Sequence, residues 1–251
     1  MFICDCHCDT LTELYKKGTS LYANDQHFDI QRQIALGGGL QFCAIFVPTH
    51  EFRYYGGLRY TLQLLDKYLQ EVKKLHADGI DVLQVLTKED AADVLNHKAA
   101  TLLAIEEGGA IDGSLEALRC LYALGVRAMT LTWSNRNDIA DGVNEESSGG
   151  GLTVFGRQVV AEMNKLGMLV DVSHIAPAGF WDVIETSSKP IIATHSNAKL
   201  FARIRVTWMT SRFWQLKKMT ASSVLPLPAS SWNMITTMPA SKVFTAISTI
   251  C

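Results

Sequence analysis

The sequence predicts an α/β protein in which helices cover a parallel sheet. Two observations support this: short, continuously apolar runs alternate with helical patterns, and acids and histidines stand where those runs stop. Apolar strands that alternate with amphipathic helices indicate a parallel sheet buried on both faces. At 251 residues, 48% of them apolar, the chain can bury one large core or two small ones.

The apolar start Met1-Phe2-Ile3 reads as a short strand running into the polar segment "DCHCDT", Asp5 to Thr10. The run "QFCAIFV" (41–47) is a buried strand, and the leucine spacing of residues 58–77 is that of an amphipathic helix. "DVLQVL" (81–86) is an accessory strand before a helix opening near Thr87. "TLLAIE" (101–106) leads to a helix with Ser114 as N-cap and Gly125 as its stop. "AMTLTW" (128–133) passes through a Gly/Ser-rich loop to the helix "TVFGRQVVAEMNKLG". "MLVDVSH" (168–174) and "PIIATH" (190–195) are two more strands, with a helix from near Pro177 between them. With 81–86 set aside, six principal strands are complete by His195.

In such folds functional residues gather at the C-terminal ends of strands. Those ends carry His7 and Asp9, then Glu106, His174 and His195. A lone strand-end histidine is more often a hydrogen-bonded structural residue, and one HxD pair is common by chance. Four strand ends that all deliver imidazole or carboxylate are harder to dismiss, and such ligands leave coordination positions open as a catalytic zinc requires. Strict alternation along the first strand would put Cys4, Cys6 and Cys8 on one face and Asp5, His7 and Asp9 on the other. The remaining cysteines, Cys43, Cys120 and Cys251, are isolated. A thiolate site therefore lacks its second pair, and the cysteines read as small apolar residues.

A net charge of −2 gives no electrostatic case for nucleic acid. No apolar run reaches the roughly 18 residues of a membrane span, and the acids Asp5, Asp9 and Glu13 do not suit an export signal. Six cysteines in so long a chain are expected to be reduced thiols. The expectation is a cytoplasmic protein, without nucleic-acid or membrane partners, and compatible with a homodimer.

The segments "DCHCDT", "AIEEGGAIDGSLEALRCLYALGVRAMTLTW", "NDIADG", "LVDVSH" and "ATHSNA" follow one another over residues 1–199. In that order they resemble the membrane (renal) dipeptidase family of binuclear zinc peptidases, especially its soluble bacterial members. The resemblance implies a (β/α)8 TIM barrel, incomplete here after the sixth strand, and a dipeptide substrate. It implies two Zn2+ ions, one held by His7 and Asp9 and the other by His174 and His195, with Glu106 bridging them as the catalytic carboxylate. A metal-bridging hydroxide would attack the amide carbonyl. Glu107 occupies a position that is often glycine in the family. Trp133 stands where mammalian members have a substrate-binding histidine, which leaves Asn135 or Asn137 to share that role. The sequence leaves two alternatives: another binuclear amidohydrolase, against which HxD and "IEEGG" speak, and a non-catalytic metal-binding remnant.

After Lys199 the composition changes. Residues 199–251 contain seven Lys/Arg, no Asp or Glu and no glycine, whereas the preceding residues hold all 25 acids and all 18 glycines. Average usage of about 7% glycine would put several in such a segment. Codons compatible with residues 201–210, read with a two-nucleotide offset, can encode a segment containing the family's His-Pro-Arg-Asn motif. The division expected is a metallo-dipeptidase-like region, 1–199, and an aberrant, out-of-frame tail, 200–251. The family's substrate-carboxylate arginine then falls at Val206, and its catalytic eighth-strand aspartate has no counterpart in the sequence as written. Correcting one or two nucleotides near codon 199 should place an arginine at that position. The corrected protein should be more soluble and hydrolyse dipeptides, with the 251-residue chain weak or inactive. Sequencing the coding DNA and assaying both proteins tests this; a corrected frame that soon meets a stop codon would refute it.

Overall fold

The structure, a computed structural model, describes residues 2–52 and 56–198 together with two short strands at 207–208 and 235–236. Apart from those strands, the aberrant tail expected over 200–251 lies outside the described residues, as does Val206.

The sheet order follows the sequence. Strands β1 (Ile3–Cys8), β2 (Gly39–Phe46), β4 (Ala99–Glu106), β5 (Val126–Thr130), β6 (Leu169–Asp171) and β7 (Ile191–Ile192) pair in parallel, each with the next. These six strands form a curled half-barrel. The accessory strand β3 (Val82–Gln84) pairs with the start of β4, beside the stretch that β5 uses. At the other edge, the short strand Ile235–Thr236 runs antiparallel to β1.

Local signals explain the helices. Helix α3 (Gly57–Ala77) turns Leu64, Leu65, Tyr68, Val72 and Leu75 inward, the spacing of one helical face. The Thr87 side chain and Asp90 form a reciprocal capping box that opens α4 (Lys88–Asp93). Ser114 caps α5 (Leu115–Ala123), and Thr153 caps α6 (Val154–Leu166). Pro177 occupies the first position of α7 (Pro177–Thr186), where its missing N–H costs nothing. Two helices absent from the sequence expectation, α1 (Thr10–Lys17) and α2 (Ile30–Ala35), are short. Six to eight residues hold too few turns to display a period.

Two apolar layers sandwich the sheet. Cys43, Ile45, Leu103, Ile105, Met129 and Val170 face the helices, while Cys4, Leu40, Phe42, Ala100, Leu102, Ala128 and Leu169 fill the inner, concave side. Glu106 continues the inner series 100, 102, 104 at the C-terminal end of β4.

Strict alternation fails in β1. Asp5 pairs with Gln41, yet Cys8 pairs with Cys43, so three residues of β1 span what two span on β2. This bulge divides the cysteines: Cys4 and Cys6 join the inner layer, and Cys8 joins Cys43 outside. It also turns His7 to the concave side. One inserted residue re-aims a side chain in this way, and bulges are common beside functional sites.

Helix α6 lies against the segment after β5 so closely that a Cβ on Gly156 would stand 2.1 Å from the Ile139 carbonyl oxygen. Gly156→Ala should therefore destabilise the fold by about 1–3 kcal/mol through overpacking. Thermal denaturation should show a Tm lowered by several degrees; an unchanged Tm would contradict this packing.

Candidate metal centre

Four side chains meet above the concave face. Glu106, the last residue of β4, is buried. Its Oε2 lies 3.3 Å from His7 Nε2, and its Oε1 lies 3.1 Å from His174 Nε2 and 3.4 Å from His195 Nε2. The His174 and His195 Nε2 atoms are 2.7 Å apart, and the His7 and His195 rings have centroids 3.9 Å apart. Ligand atoms of His7, Glu106 and His195 all lie within 4.8 Å of one another. Asp9 stands at the margin, its side chain 55% exposed and its Oδ1 3.5 Å from His7 Nε2.

Backbone geometry places each of these groups. Asp9 takes the N-cap position of α1, yet its side chain makes no capping bond, which leaves the carboxylate available to His7. The sequence expected His174 and His195 within strand ends, but β6 stops at Asp171 and β7 at Ile192. Beyond those points the Asp171 carboxylate accepts from the Ser173 and Thr194 backbone N–H groups. After a last backbone bond from the Val172 N–H to the Ile192 carbonyl, these side-chain bonds take over from the ladder, and the chain can turn both rings inward. His174 sits at φ +64°, a left-handed conformation that costs a non-glycine residue about 1–3 kcal/mol and clusters at functional sites.

The electrostatics follow from crowding. Burial pushes the Glu106 carboxyl up, but the imidazoles of His174, His195 and His7 packed against it outweigh that and hold the group well below its ordinary value. Burial pulls His7 down, while the Asp9 and Glu106 carboxylates outweigh that and raise it well above the ordinary imidazole value. His195 is lowered, by burial first and then by the charge on His7.

Three imidazole nitrogens converging on both oxygens of one carboxylate form a donor set suited to zinc. Each of two rings also has a hydroxyl near its other nitrogen: Ser134 Oγ is 3.4 Å from His174 Nδ1, and Thr194 Oγ1 is 2.8 Å from His195 Nδ1. Metal-ligating histidines ordinarily have such a partner behind them. The residues present fit a metal ion.

The family model for membrane dipeptidase, peptidase family M19, matches residues 1–207. The chain belongs to the membrane dipeptidase family. It is 33% identical to Dipeptidase 3 of Mus musculus over 168 residues, 64% of this chain, and spans 32% of that protein's length. The crystal structure of dipeptidase AC, a metallo peptidase, superposes with a TM-score of 0.78 at 24% identity, covering 98% of this chain and 79% of that one. A Rhodobacter sphaeroides metallo peptidase, liganded with a phosphinate mimic of the dipeptide L-Ala-D-Ala, superposes with a TM-score of 0.75 at 21% identity, covering 98% and 81%. These likenesses show the half-barrel to be part of the barrel of this family, and membership implies a metal cofactor.

The backbone at position 107, where the resemblance implies glycine, takes a left-handed conformation. Glu107 has φ +89°, a conformation that favours glycine. Its carboxylate is buried and accepts from the Trp133 N–H at 2.6 Å, the Gly109 N–H at 2.9 Å and the Asn137 side-chain amide. Burial raises the Glu107 carboxyl above its ordinary value, against those hydrogen bonds. This side chain, given no role from the sequence, anchors the segment after β5. A strongly polar residue at a glycine position was the available signal.

Trp133 stacks on His50 at 5.4 Å between ring centroids, meets Phe46 edge-on at 5.3 Å and lies 6.3 Å from the His174 ring. With Asn135, Arg136 and Asn137 it lines a cleft of about 400 Å³. The Asn137 amide bonds Glu107 and the Leu131 carbonyl, while its oxygen accepts from Ile139 and Ala140. The Asn135 side chain accepts from Asn144. Asn137 therefore shapes the cleft through internal bonds, and Trp133 presents its ring there.

Replacing Glu107 with Gln turns one acceptor into a donor facing N–H groups. Native-state hydrogen exchange at the Trp133 amide should accelerate about ten-fold, the equivalent of losing roughly 1.4 kcal/mol of local protection. Unchanged exchange would show that another partner holds this segment.

Proposed function

We propose that this chain carries the metal centre of a zinc-dependent dipeptidase. The observation behind this reading is the convergence of three imidazole Nε2 atoms on the buried Glu106 carboxylate, at the strand ends of a membrane dipeptidase family fold. His7 and Asp9 would hold one ion, His174 and His195 a second, with Glu106 bridging them. Two zinc ions, when bound, would polarise the scissile amide carbonyl and supply an activated, metal-bridging hydroxide.

The chain's own groups do the positioning. The two Glu106 oxygens face different histidines, so one carboxylate can serve two ions. The Trp133 ring, beside His174, would bound the space open to the substrate's side chain, with Asn135 at the rim. The dipeptide mimic held by the Rhodobacter sphaeroides structure supports a substrate of that size. No helix among the described residues is long and apolar enough to cross a membrane, and the five described cysteines are free. The free thiols support a reducing, cytoplasmic setting.

The same reading retains the division at residue 199. Residues 1–199 form the dipeptidase-like region, and 200–251 are an out-of-frame tail that replaces the family's substrate-carboxylate arginine with Val206. Catalysis by the chain as written would then be impaired while metal binding persists.

Glu106→Gln should lower the zinc content of purified, zinc-loaded protein at both sites, from near two ions per chain toward one or none. Cys6→Ser should leave it unchanged. Metal analysis by mass spectrometry decides: full zinc in the Glu106 variant removes the bridging role, and loss of zinc in the Cys6 variant points to thiolate ligation.

A further inference from the structure

The proposed centre assigns no role to Asp171, although this carboxylate is almost inaccessible, with 1% exposure, at the end of β6. An acid in the middle of the apolar run "MLVDVSH" needs partners, because burying a lone carboxylate costs several kcal/mol. Its partners come from three adjacent strand ends. Oδ1 accepts from the Ser173 N–H at 2.9 Å, the Ser173 hydroxyl at 2.8 Å and the Thr194 N–H at 3.2 Å. Oδ2 accepts from the Thr130 hydroxyl at 2.7 Å and the Thr194 hydroxyl at 2.5 Å.

The last of these bonds constrains a neighbouring ring. A threonine hydroxyl has one hydrogen, and here it points to Asp171. Toward His195 Nδ1, 2.8 Å away, Thr194 Oγ1 can then offer only a lone pair. The contact is a hydrogen bond only if Nδ1 carries the proton. A neutral ring protonated at Nδ1 has a bare Nε2, the atom that faces Glu106 and His174. Ser173 fixes the backbone in the same manner: its hydroxyl donates to Asp171 and accepts from the His195 N–H at 3.2 Å. His174 differs, since among the described residues its Nδ1 has only the longer 3.4 Å contact with Ser134.

We propose that Asp171, acting through the Thr194 hydroxyl, is a positioning residue that holds His195 as the Nδ1–H tautomer, with Nε2 bare before any metal arrives. The value of this for metal binding rests on His195 being a ligand; the tautomer itself does not. A ring locked in this way presents its lone pair without a proton to shed or a rotation to make, which is the preorganisation that outer partners give metal ligands.

The test uses the full chain, labelled with 15N-histidine, stripped of metal by chelator and held at neutral pH. Long-range 1H–15N correlation of the imidazole, with His195→Gln for assignment, reports which nitrogen is protonated. The wild-type His195 ring should show a protonated Nδ1 and a bare Nε2. Thr194→Val, which keeps the shape and removes the hydroxyl, should give mixed tautomers; Thr194→Ser should restore the single form. In a zinc competition against a chromophoric chelator, the Val variant should bind about ten-fold more weakly than wild type and the Ser variant within two-fold, in line with the effect of outer-shell partners. A wild-type His195 protonated at Nε2 overturns the proposal, as does a Val variant with the wild-type tautomer. If the Val variant does not fold, the wild-type and Ser spectra decide alone. A locked Nδ1–H ring whose zinc affinity is the same in wild type and His195→Gln would uphold the Asp171 relay and refute the ligand role of His195.

Discussion

A carboxylate at the end of a fully buried parallel strand has to be matched from above, because the sheet beneath it can supply only apolar side chains. Glu106 is that carboxylate. Ala100, Leu102 and Ala104 precede it on the same face, so burial would drive it toward the neutral form. Three imidazoles reverse the balance, and each reaches it from a different strand end. The β1 bulge, the left-handed backbone at His174 and the early ends of β6 and β7 are the local distortions through which those rings converge. Each departs from ideal strand geometry and brings a ring to Glu106.

Two further buried acids hold the frame around this point. Glu107 ties down the backbone at Trp133, which fixes the wall of the cleft. Asp171 gathers hydroxyls and N–H groups from β5 and from the segments after β6 and β7. The three carboxylates have different tasks because their surroundings differ: imidazoles around Glu106, backbone and amide N–H groups around Glu107, and hydroxyls and N–H groups around Asp171.

Much of this was legible from the residues in order. The strand runs, the helix caps at Thr87, Ser114 and Thr153, and Pro177 at a helix start are local signals, set by side chains within a few positions of the structure they specify. His7, Asp9, Glu106, His174 and His195 were also accessible, because in a parallel sheet the topology alone carries strand ends to one face. The family resemblance over residues 1–199 pointed to the same residues.

Tertiary structure decided what depends on register and on non-neighbours. The separation of Cys4 from Cys8 arises because β2 imposes its pairing on β1, and no property of "DCHCDT" alone marks the inserted residue. Whether Asn137 faces a ligand or its own loop was set by Glu107, thirty residues away. The sequence shows that Glu107 and Asp171 are acids, but hydrogen-bond donors are scarce in a buried environment, and only the fold reveals which donors each one found. What the sequence by itself determined is the order of elements and the identity of the converging groups, because these follow from local propensity and strand direction. The tertiary structure alone decided their orientation and partners, because those follow from contacts between residues far apart in the chain.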